Sequence, residues 1–258
     1  MNFIRRSYEM ENENVPYNNL LVSIITVCYN SANTIEDTIN SVLRQTYRNI
    51  EYIIVDGKST DHTISLVKKY EPLFGGRLHY ISEKDEGIYD AMNKGIEMTR
   101  GELIGIINSD DYYELDAVES IVRHYERDKL QVLYGMMRII EENQERRIVM
   151  DSHLFIREVM IPHCTCFVKK EIYEKYGKFN LKYKYVADYD LMLRLSQIKD
   201  IVFTPVYAIT SNFRVGGASS CFQAVQETLK FKLDKELISR RAYVVLYIRE
   251  LIRKWVGA

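Results

Sequence analysis

Two adjacent carboxylates, Asp110 and Asp111, close the segment Asn108-Ser109-Asp110-Asp111 at the end of the apolar run Leu103-Ile104-Gly105-Ile106-Ile107. A strand that delivers paired acids to its carboxyl end makes a clamp for a divalent cation. Mg²⁺ or Mn²⁺ takes one or two carboxylates and completes its shell with phosphate oxygens and water, so such a clamp would carry a nucleotide diphosphate. The same acids have a purely structural reading. Either one would cap a helix beginning near Glu114, where Leu115, Val118, Ile121 and Val122 fall at helical spacing. The four residues by themselves leave both readings open.

The elements that must position them follow from periodicity. Residues 21–27, 50–55, 78–82 and 102–107 read as short buried strands. Between them, residues 32–45, 62–70 and 89–98 carry apolar positions at helical spacing. This alternation predicts an α/β fold with a central, mostly parallel sheet whose crossovers cover both faces. Ligands of such sheets sit at the carboxyl ends of the strands. Those ends carry Tyr29-Asn30, Asp56-Gly57, Ser82-Glu83-Lys84-Asp85 and Asp110-Asp111, four polar exits expected to meet at one nucleotide crevice. Downstream, residues 132–140, 148–150 and 201–209 read as strands, and 170–176 (ended by Gly177) and 188–197 as helices. Residues 224–255 read as one long helix whose end is basic and aromatic. Its arginines and apolar residues fit either a helix packed on the domain or one lying on an anionic membrane surface.

Composition removes several classes. The 258 residues, 47% of them hydrophobic, suffice for one substantial core. The expected organisation is a polar N-terminal arm over residues 1–19, a main domain over 20–222 and a helical extension over 223–258. A balance of 35 basic and 36 acidic residues provides no global field for nucleic acid. Cys28, Cys164, Cys166 and Cys221 are irregularly spaced, which argues against a disulfide framework and for a reducing, cytoplasmic setting. His163, Cys164 and Cys166 lie too close together for the paired ligands of a structural zinc site. The polar N-terminus lacks the pattern of a secretory signal. The longest apolar run, residues 20–29, is about half the length a membrane-spanning helix needs.

Several segments, in order, resemble the family 2 glycosyltransferases, inverting enzymes of the GT-A fold. Ser23-Ile24-Ile25-Thr26-Val27-Cys28-Tyr29-Asn30 resembles the family's opening strand, and Asp56-Gly57-Lys58-Ser59-Thr60-Asp61-His62-Thr63 its second-strand turn. Asp85-Glu86-Gly87-Ile88-Tyr89-Asp90-Ala91-Met92-Asn93-Lys94-Gly95 resembles a segment of the branch that builds bacterial surface polysaccharides. Asn108-Ser109-Asp110-Asp111 resembles the acidic metal motif, and Pro162-His163, Gly177-Lys178-Phe179, Ala187-Asp188-Tyr189-Asp190-Leu191 with Arg194, and Gly216-Gly217-Ala218-Ser219 follow in the same order. Lys58 departs from the glycine common in that turn, and Ala187 from the glutamate many relatives carry before the base.

The resemblance implies a reaction and a set of roles. A nucleotide-diphosphate sugar, with a UDP-sugar favoured, would donate to a saccharide or lipid-linked saccharide acceptor. Mn²⁺ or Mg²⁺ would be held by Asp111, and Asp110 would contact the ribose or share the metal shell. Asp56 would accept from the nucleobase, with Thr26, Tyr29 and Asn30 lining its pocket. Asp188 matches the catalytic base, although by its position alone it also reads as a cap for the helix through Leu191, Leu193 and Leu195. Asp190, two positions on, is its alternate and would point roughly 200° away on a helix. Asp85 and Asp90 are carried as donor contacts, Asp90 also reading as an i,i+4 partner of Lys94. His163 would meet donor phosphate or acceptor, and Arg214, in a glycine-bearing loop, would bring a guanidinium fork to the diphosphate. Two other readings remain at this level: a sugar-1-phosphate nucleotidyltransferase, although Tyr29-Asn30-Ser31-Ala32 lacks a glycine-rich basic loop, and a noncatalytic nucleotide-sugar binding protein.

Overall fold

A computed structural model describes residues 19–217 and 221–256. Most of the expected N-terminal arm, Ala218 and Ser219 of the glycine-bearing loop, and residues 257–258 lie outside the described residues. The first half alternates strands and helices: β1 (Val22–Cys28), α1 (Ile35–Leu43), β2 (Ile50–Asp56), α2 (Thr63–Tyr70), β3 (Leu78–Ser82), α3 (Ile88–Met98) and β4 (Leu103–Ile106). The second half holds β5 (Tyr112–Tyr113), α4 (Ala117–Val122), β6 (Leu130–Glu141), β7 (Gln144–Val149), β8 (Cys166–Lys169), α5 (Lys170–Tyr176), α6 (Ala187–Ser196), β9 (Ile201–Arg214), α7 (Phe222–Asp234) and α8 (Arg240–Val256).

All strands join one mixed sheet in the order β3-β2-β1-β4-β8-β6-β9-β5, with β7 on β6. Pairing is parallel from β3 through β4, and beyond β4 it is antiparallel except between β6 and β9. β1 and β2 are buried at every position, so they read as unbroken apolar runs rather than alternating ones. Their side chains still alternate between two layers. Ile25, Val27, Ile53 and Val55 pack with Tyr89, Met92 and Ile96 of α3, while Ile24, Tyr52 and Ile54 pack with Ile35 and Ile39 of α1. Register does the positioning that matters. Cys28 stands beside Asp56 and Asp56 beside Ser82, so three strand exits lie side by side.

Three expectations need correction. The helix expected near Glu114 begins at Ala117 with Asp116 as its flanking residue, so Asp110 and Asp111 are not its caps. β9 runs on to Arg214, five residues beyond the expected strand end at Ile209, because β5 and the far end of β6 both pair with it. The expected helix over residues 224–255 is two helices. α7 ends in a Schellman-type turn, with Leu237 N–H donating to Lys232 O (2.8 Å) and Glu236 held at φ 55°. Leu237 then packs against the core, and the hydroxyl of Ser239 accepts from Ala242 N–H to open α8. α7 is tied to the main body through Phe231, which is 1% exposed, and through Glu227, which accepts from the backbone N–H groups of Lys184 and Tyr185.

Candidate active site

The turn after β4 places Asp110 and Asp111 at the mouth of the sheet. Asp111 N–H closes the turn on Asn108 O (3.1 Å), and Thr38 of α1 donates its hydroxyl to Asp111 O (2.6 Å). The Asp111 side chain is 1% exposed. One carboxylate oxygen, Oδ1, accepts from the backbone N–H of Arg214 (3.0 Å), while Oδ2 has no partner, and nor does the buried Oδ1 of Asn108. Burial, with Asp110 beside it, pushes the Asp111 carboxyl well above the carboxylate range against the pull of Arg214. Asp110 is also raised by burial and pulled back by Arg214. A Cβ on Gly217 would fall 2.6 Å from Oδ2 of Asp110, so the end of the glycine-bearing loop lies directly on this acid.

Two acids at a buried turn, one with an orphaned oxygen, suit a hard divalent cation. It would supply the missing partner of Asp111 Oδ2 and remove the cost of burying an unpaired charge. Among the described residues no three His, Cys, Asp or Glu side chains gather into a cluster. The protein would therefore supply one or two ligands and leave the rest of the shell to phosphate and water, the usual habit of Mg²⁺.

Arg214 stands at the end of β9 rather than in a free loop. Its guanidinium donates to Asp110 O (3.1 Å) and Asp37 Oδ2 (2.6 Å) and lies over the Tyr112 ring, 4.8 Å from the centroid. It reaches the acids by pairing with their backbone and with a neighbouring helix.

A second acid centre forms where α3 and α6 meet. Asp188 lies in the first turn of α6, whose flanking residue is Val186, so it is within the helix rather than its cap. Its Oδ1 accepts from the Tyr89 hydroxyl (2.9 Å) and from Tyr189 N–H (2.8 Å). Burial raises the Asp188 carboxyl, while His163, Tyr89 and the helical N–H groups pull it down. Burial in turn lowers the His163 imidazole, and the charge of Asp188 resists that. The His163 ring stands edge-on to Phe179, 5.5 Å between centroids, and Phe179 lies 5.4 Å from Tyr89. Asn93 clamps the Phe179 backbone at both ends, donating to its carbonyl (2.9 Å) and accepting from its N–H (3.0 Å).

The residues expected at the nucleobase divide. Asp56 is fully buried and accepts from Ser59 N–H (3.0 Å), the Ser59 hydroxyl, the Ser82 hydroxyl (2.6 Å) and the Cys28 thiol (3.6 Å). Thr26 is buried within the sheet layer and accepts from the Tyr52 hydroxyl (2.9 Å), away from the mouth. Tyr29 is 63% exposed, and with Asp85 it brackets Gly57. A Cβ there would lie 3.4 Å from the Tyr29 ring and 2.5 Å from Asp85 Oδ2. Asn30 and Lys58 both adopt left-handed φ, 50° and 66°. Asn30 laces the first two exits, its N–H donating to the Ser59 hydroxyl (2.7 Å) and its side-chain oxygen accepting from Thr60 N–H (2.8 Å). Asp90 holds Glu86 N–H (3.0 Å) and Lys94 (3.3 Å), and Lys94 also reaches Glu83 (2.8 Å), so this carboxylate staples the loop before α3.

Asp190, the alternate base, points away as the helical geometry requires. It is 1% exposed and paired with Arg194 (2.9 Å) and Lys235 (2.8 Å). The short segment from His163 to Cys166 runs between the two acid centres. Asp111 adds its charge to the burial that raises Cys164, and Asp188 acts in the same direction on Cys166, whose thiol burial pushes up to about 12. All four cysteines are free thiols. Tyr89, Asn93 and Phe179 were not singled out from the sequence. The signal available was the i,i+4 spacing of Tyr89 and Asn93 on one helical face.

A parallel strand-exit crevice with buried acids at its mouth, continued by an antiparallel second half that brings up a helix-borne carboxyl, is the layout of a GT-A glycosyltransferase. Residues 23–189 match the model of Glycosyl transferase family 2, and the chain belongs to that family. A PGL/p-HBAD biosynthesis glycosyltransferase of Mycobacterium bovis is 27% identical over 239 residues, covering 91% of each chain. An uncharacterized glycosyltransferase of Rickettsia conorii is 30% identical over 207 residues, covering 75% of this chain and 34% of that protein. Among solved structures, S. aureus TarS in complex with UDP-GlcNAc superposes with a TM-score of 0.65 at 18% identity, covering 92% of this chain and 73% of that one. The mannosyltransferase PcManGT of Pyrobaculum calidifontis, in complex with GDP-Man and Mn²⁺, gives 0.62 at 16% identity, covering 96% and 70%. At these identities the structural matches establish the fold.

Proposed function

We propose that this glycosyltransferase is inverting and metal-dependent, and that it moves a sugar from a nucleotide-diphosphate donor to a saccharide acceptor carried on lipid, in cell-surface polysaccharide assembly at the inner membrane face. One observation carries the reading. Asp111, buried with one oxygen unpartnered, and Asp188, held through one oxygen by Tyr89, both act on the short segment from Cys164 to Cys166. The UDP-GlcNAc and GDP-Man complexes of the structural neighbours support a nucleotide-sugar donor, and a UDP-sugar is our choice. The mycobacterial relative's name supports surface glycolipid or polysaccharide assembly.

Asp188 takes the proton of the acceptor hydroxyl. The oxygen attacks the anomeric carbon opposite the leaving group, the bond to the nucleotide diphosphate breaks, and the configuration inverts in that single step. Tyr89 holds one carboxylate oxygen and leaves Oδ2 for the acceptor. Asp111 would hold Mn²⁺ or Mg²⁺, with Asp110 turned to the ribose. A bound cation there stabilises the charge that develops on the departing diphosphate. Tyr29, Asn30, Asp56 and Asp85 surround the base and ribose at the strand exits, with Thr26 left in the sheet layer behind them. His163 faces the acceptor beside Asp188, and Asp90 positions the loop that contacts the sugar. Arg214 exchanges Asp37 for a phosphate oxygen.

Transfer, or slow hydrolysis of the donor, should stop on chelation and return with Mn²⁺, and the product's anomeric coupling in NMR should be opposite to the donor's. A product that keeps the donor's configuration overturns the single displacement. Turnover unaffected by chelation overturns the metal.

A further inference from the structure

Helix α8 leaves an apolar stripe in solvent. Val244, Val245, Ile248, Leu251, Ile252 and Trp255 are all exposed, Trp255 at 90%. At 100° per residue they fall within an arc of about 120°. The opposite face is occupied by α7. Tyr247 accepts from Gln226 (2.9 Å), Tyr243 stacks on Tyr247, and Lys254 lies over the Phe222 ring at 4.5 Å. The stripe is therefore not the helix's packing face, which is already used.

Charge identifies what would cover it. α8 carries Arg240, Arg241, Arg249, Arg253 and Lys254 against a single acid, Glu250, in a chain whose net charge is −1. Projected on the helix, Arg249 and Arg253 flank one side of the stripe, Arg240 and Lys254 the other, and Arg241 stands near its centre. Glu250 lies on the packed side, where it pairs with Arg249 (3.1 Å) and Arg253 (3.3 Å). A second copy on this face would bring the eight arginines of two helices together, which association does not tolerate. An anionic surface would take the four arginines, while Lys254 stays over the Phe222 ring on the α7 side. Among the described residues no helix is long and apolar enough to cross a membrane.

We infer that α8 is a membrane-docking helix that lies in the plane of an anionic phospholipid surface. Val245, Ile248, Ile252 and Trp255 enter the headgroup boundary and the flanking arginines meet lipid phosphates. Its purpose rests on the reading of a lipid-borne acceptor, but the surface itself can be tested without any sugar.

Full-length protein is mixed with vesicles of phosphatidylcholine alone or with added phosphatidylglycerol, and the bound fraction is read by co-sedimentation. Binding should favour the anionic vesicles by about tenfold or more and weaken with salt. Ile248→Asp with Ile252→Asp should abolish it, while donor hydrolysis in solution stays unchanged, so that loss of docking is distinguished from loss of the catalytic reading. Arg249→Gln with Arg253→Gln should reduce the anionic preference and leave the weak neutral binding in place. Equal binding to both vesicles, or none, overturns the inference. So does a concentration-dependent dimer that the Ile248→Asp, Ile252→Asp variant dissolves.

Discussion

Asp56 and Asp111 are both buried acids at the carboxyl edge of one sheet, yet their surroundings differ. Asp56 receives donors from Ser59, Ser82 and Cys28 on both oxygens. Asp111 has one oxygen on the Arg214 N–H and the other without a partner. A saturated buried carboxylate holds a loop in place. An undersatisfied one pays a desolvation cost that a ligand can remove. Asp188 differs from both: it is only partly buried, and the Tyr89 hydroxyl and the Tyr189 N–H share its Oδ1. The exits of β1, β2 and β3 are thus braced without a ligand, while Asp111 stands undersatisfied at the exit of β4, the last of the parallel strands.

The largest effect expected from that contrast is at Asp188. Asp188→Asn should lower kcat by about 10²–10⁴-fold, the usual loss on removing a general base, and leave donor affinity by calorimetry unchanged. Wild-type turnover in this variant would end the base assignment and revive a noncatalytic nucleotide-sugar binding protein for the whole site.

Opposite changes in stability should separate the other two acids. Asp111→Asn should raise the melting temperature of metal-free protein while removing the rise that Mn²⁺ gives the wild type. The sign follows from linkage. The folded-state pKa of Asp111 is raised above its ordinary value of 3.8, so its contribution to stability is present at low pH and lost as pH rises through the folded value. The advantage of the asparagine variant should accordingly shrink on acidification. Asp56→Asn sets an amide against hydroxyl and N–H donors, and should cost about 1–3 kcal/mol, measured by chemical denaturation. If both variants shift stability the same way, the distinction between saturated and undersatisfied acids fails.

Much of this was legible in the sequence where one physical cause dominates. Strand Leu78–Ser82 and helix Lys170–Tyr176 begin and end where their patterns do, and the second is stopped by a glycine. The exits of β1, β2 and β4 were legible because burial on both faces forces largely apolar runs that end abruptly in polar residues. What could not be read depends on chain that is distant in sequence. β5 is two residues long and exists because β9 passes beside it. The break between α7 and α8 is made by Lys235 turning to Asp190 and Leu237 reaching the core. In the segment around residue 90 the charge of Asp90 is the conspicuous feature, but the side chain that reaches Asp188 is Tyr89, across 99 residues of sequence.

Tyr89 offers a subtler test of the reactive side. Its hydroxyl stabilises the charged form of Asp188, opposing the burial that raises that carboxyl. Tyr89→Phe removes the donor, so the acid limb of the kcat/KM profile should move to higher pH. The plateau at alkaline pH should fall by less than in Asp188→Asn. A purely structural tyrosine would lower the plateau without moving the limb, so the displacement tests its role as a positioning residue.

The smallest effect tests the braced side. Lys58 occupies a left-handed φ of 66° in the turn that carries Ser59 to Asp56. A side chain held there costs about 1 kcal/mol, and glycine would remove that cost. Glycine also gains backbone entropy in the unfolded chain, which offsets about half of the relief and leaves roughly 0.5 kcal/mol. For a chain of this size Lys58→Gly should therefore raise the melting temperature by about 1–2 °C, with the Ser59 and Ser82 bonds to Asp56 intact. A variant that instead melts lower would show that the lysine side chain contributes more to the turn than its backbone strain costs, and that the nucleotide side is held by more than the carboxylate at its centre.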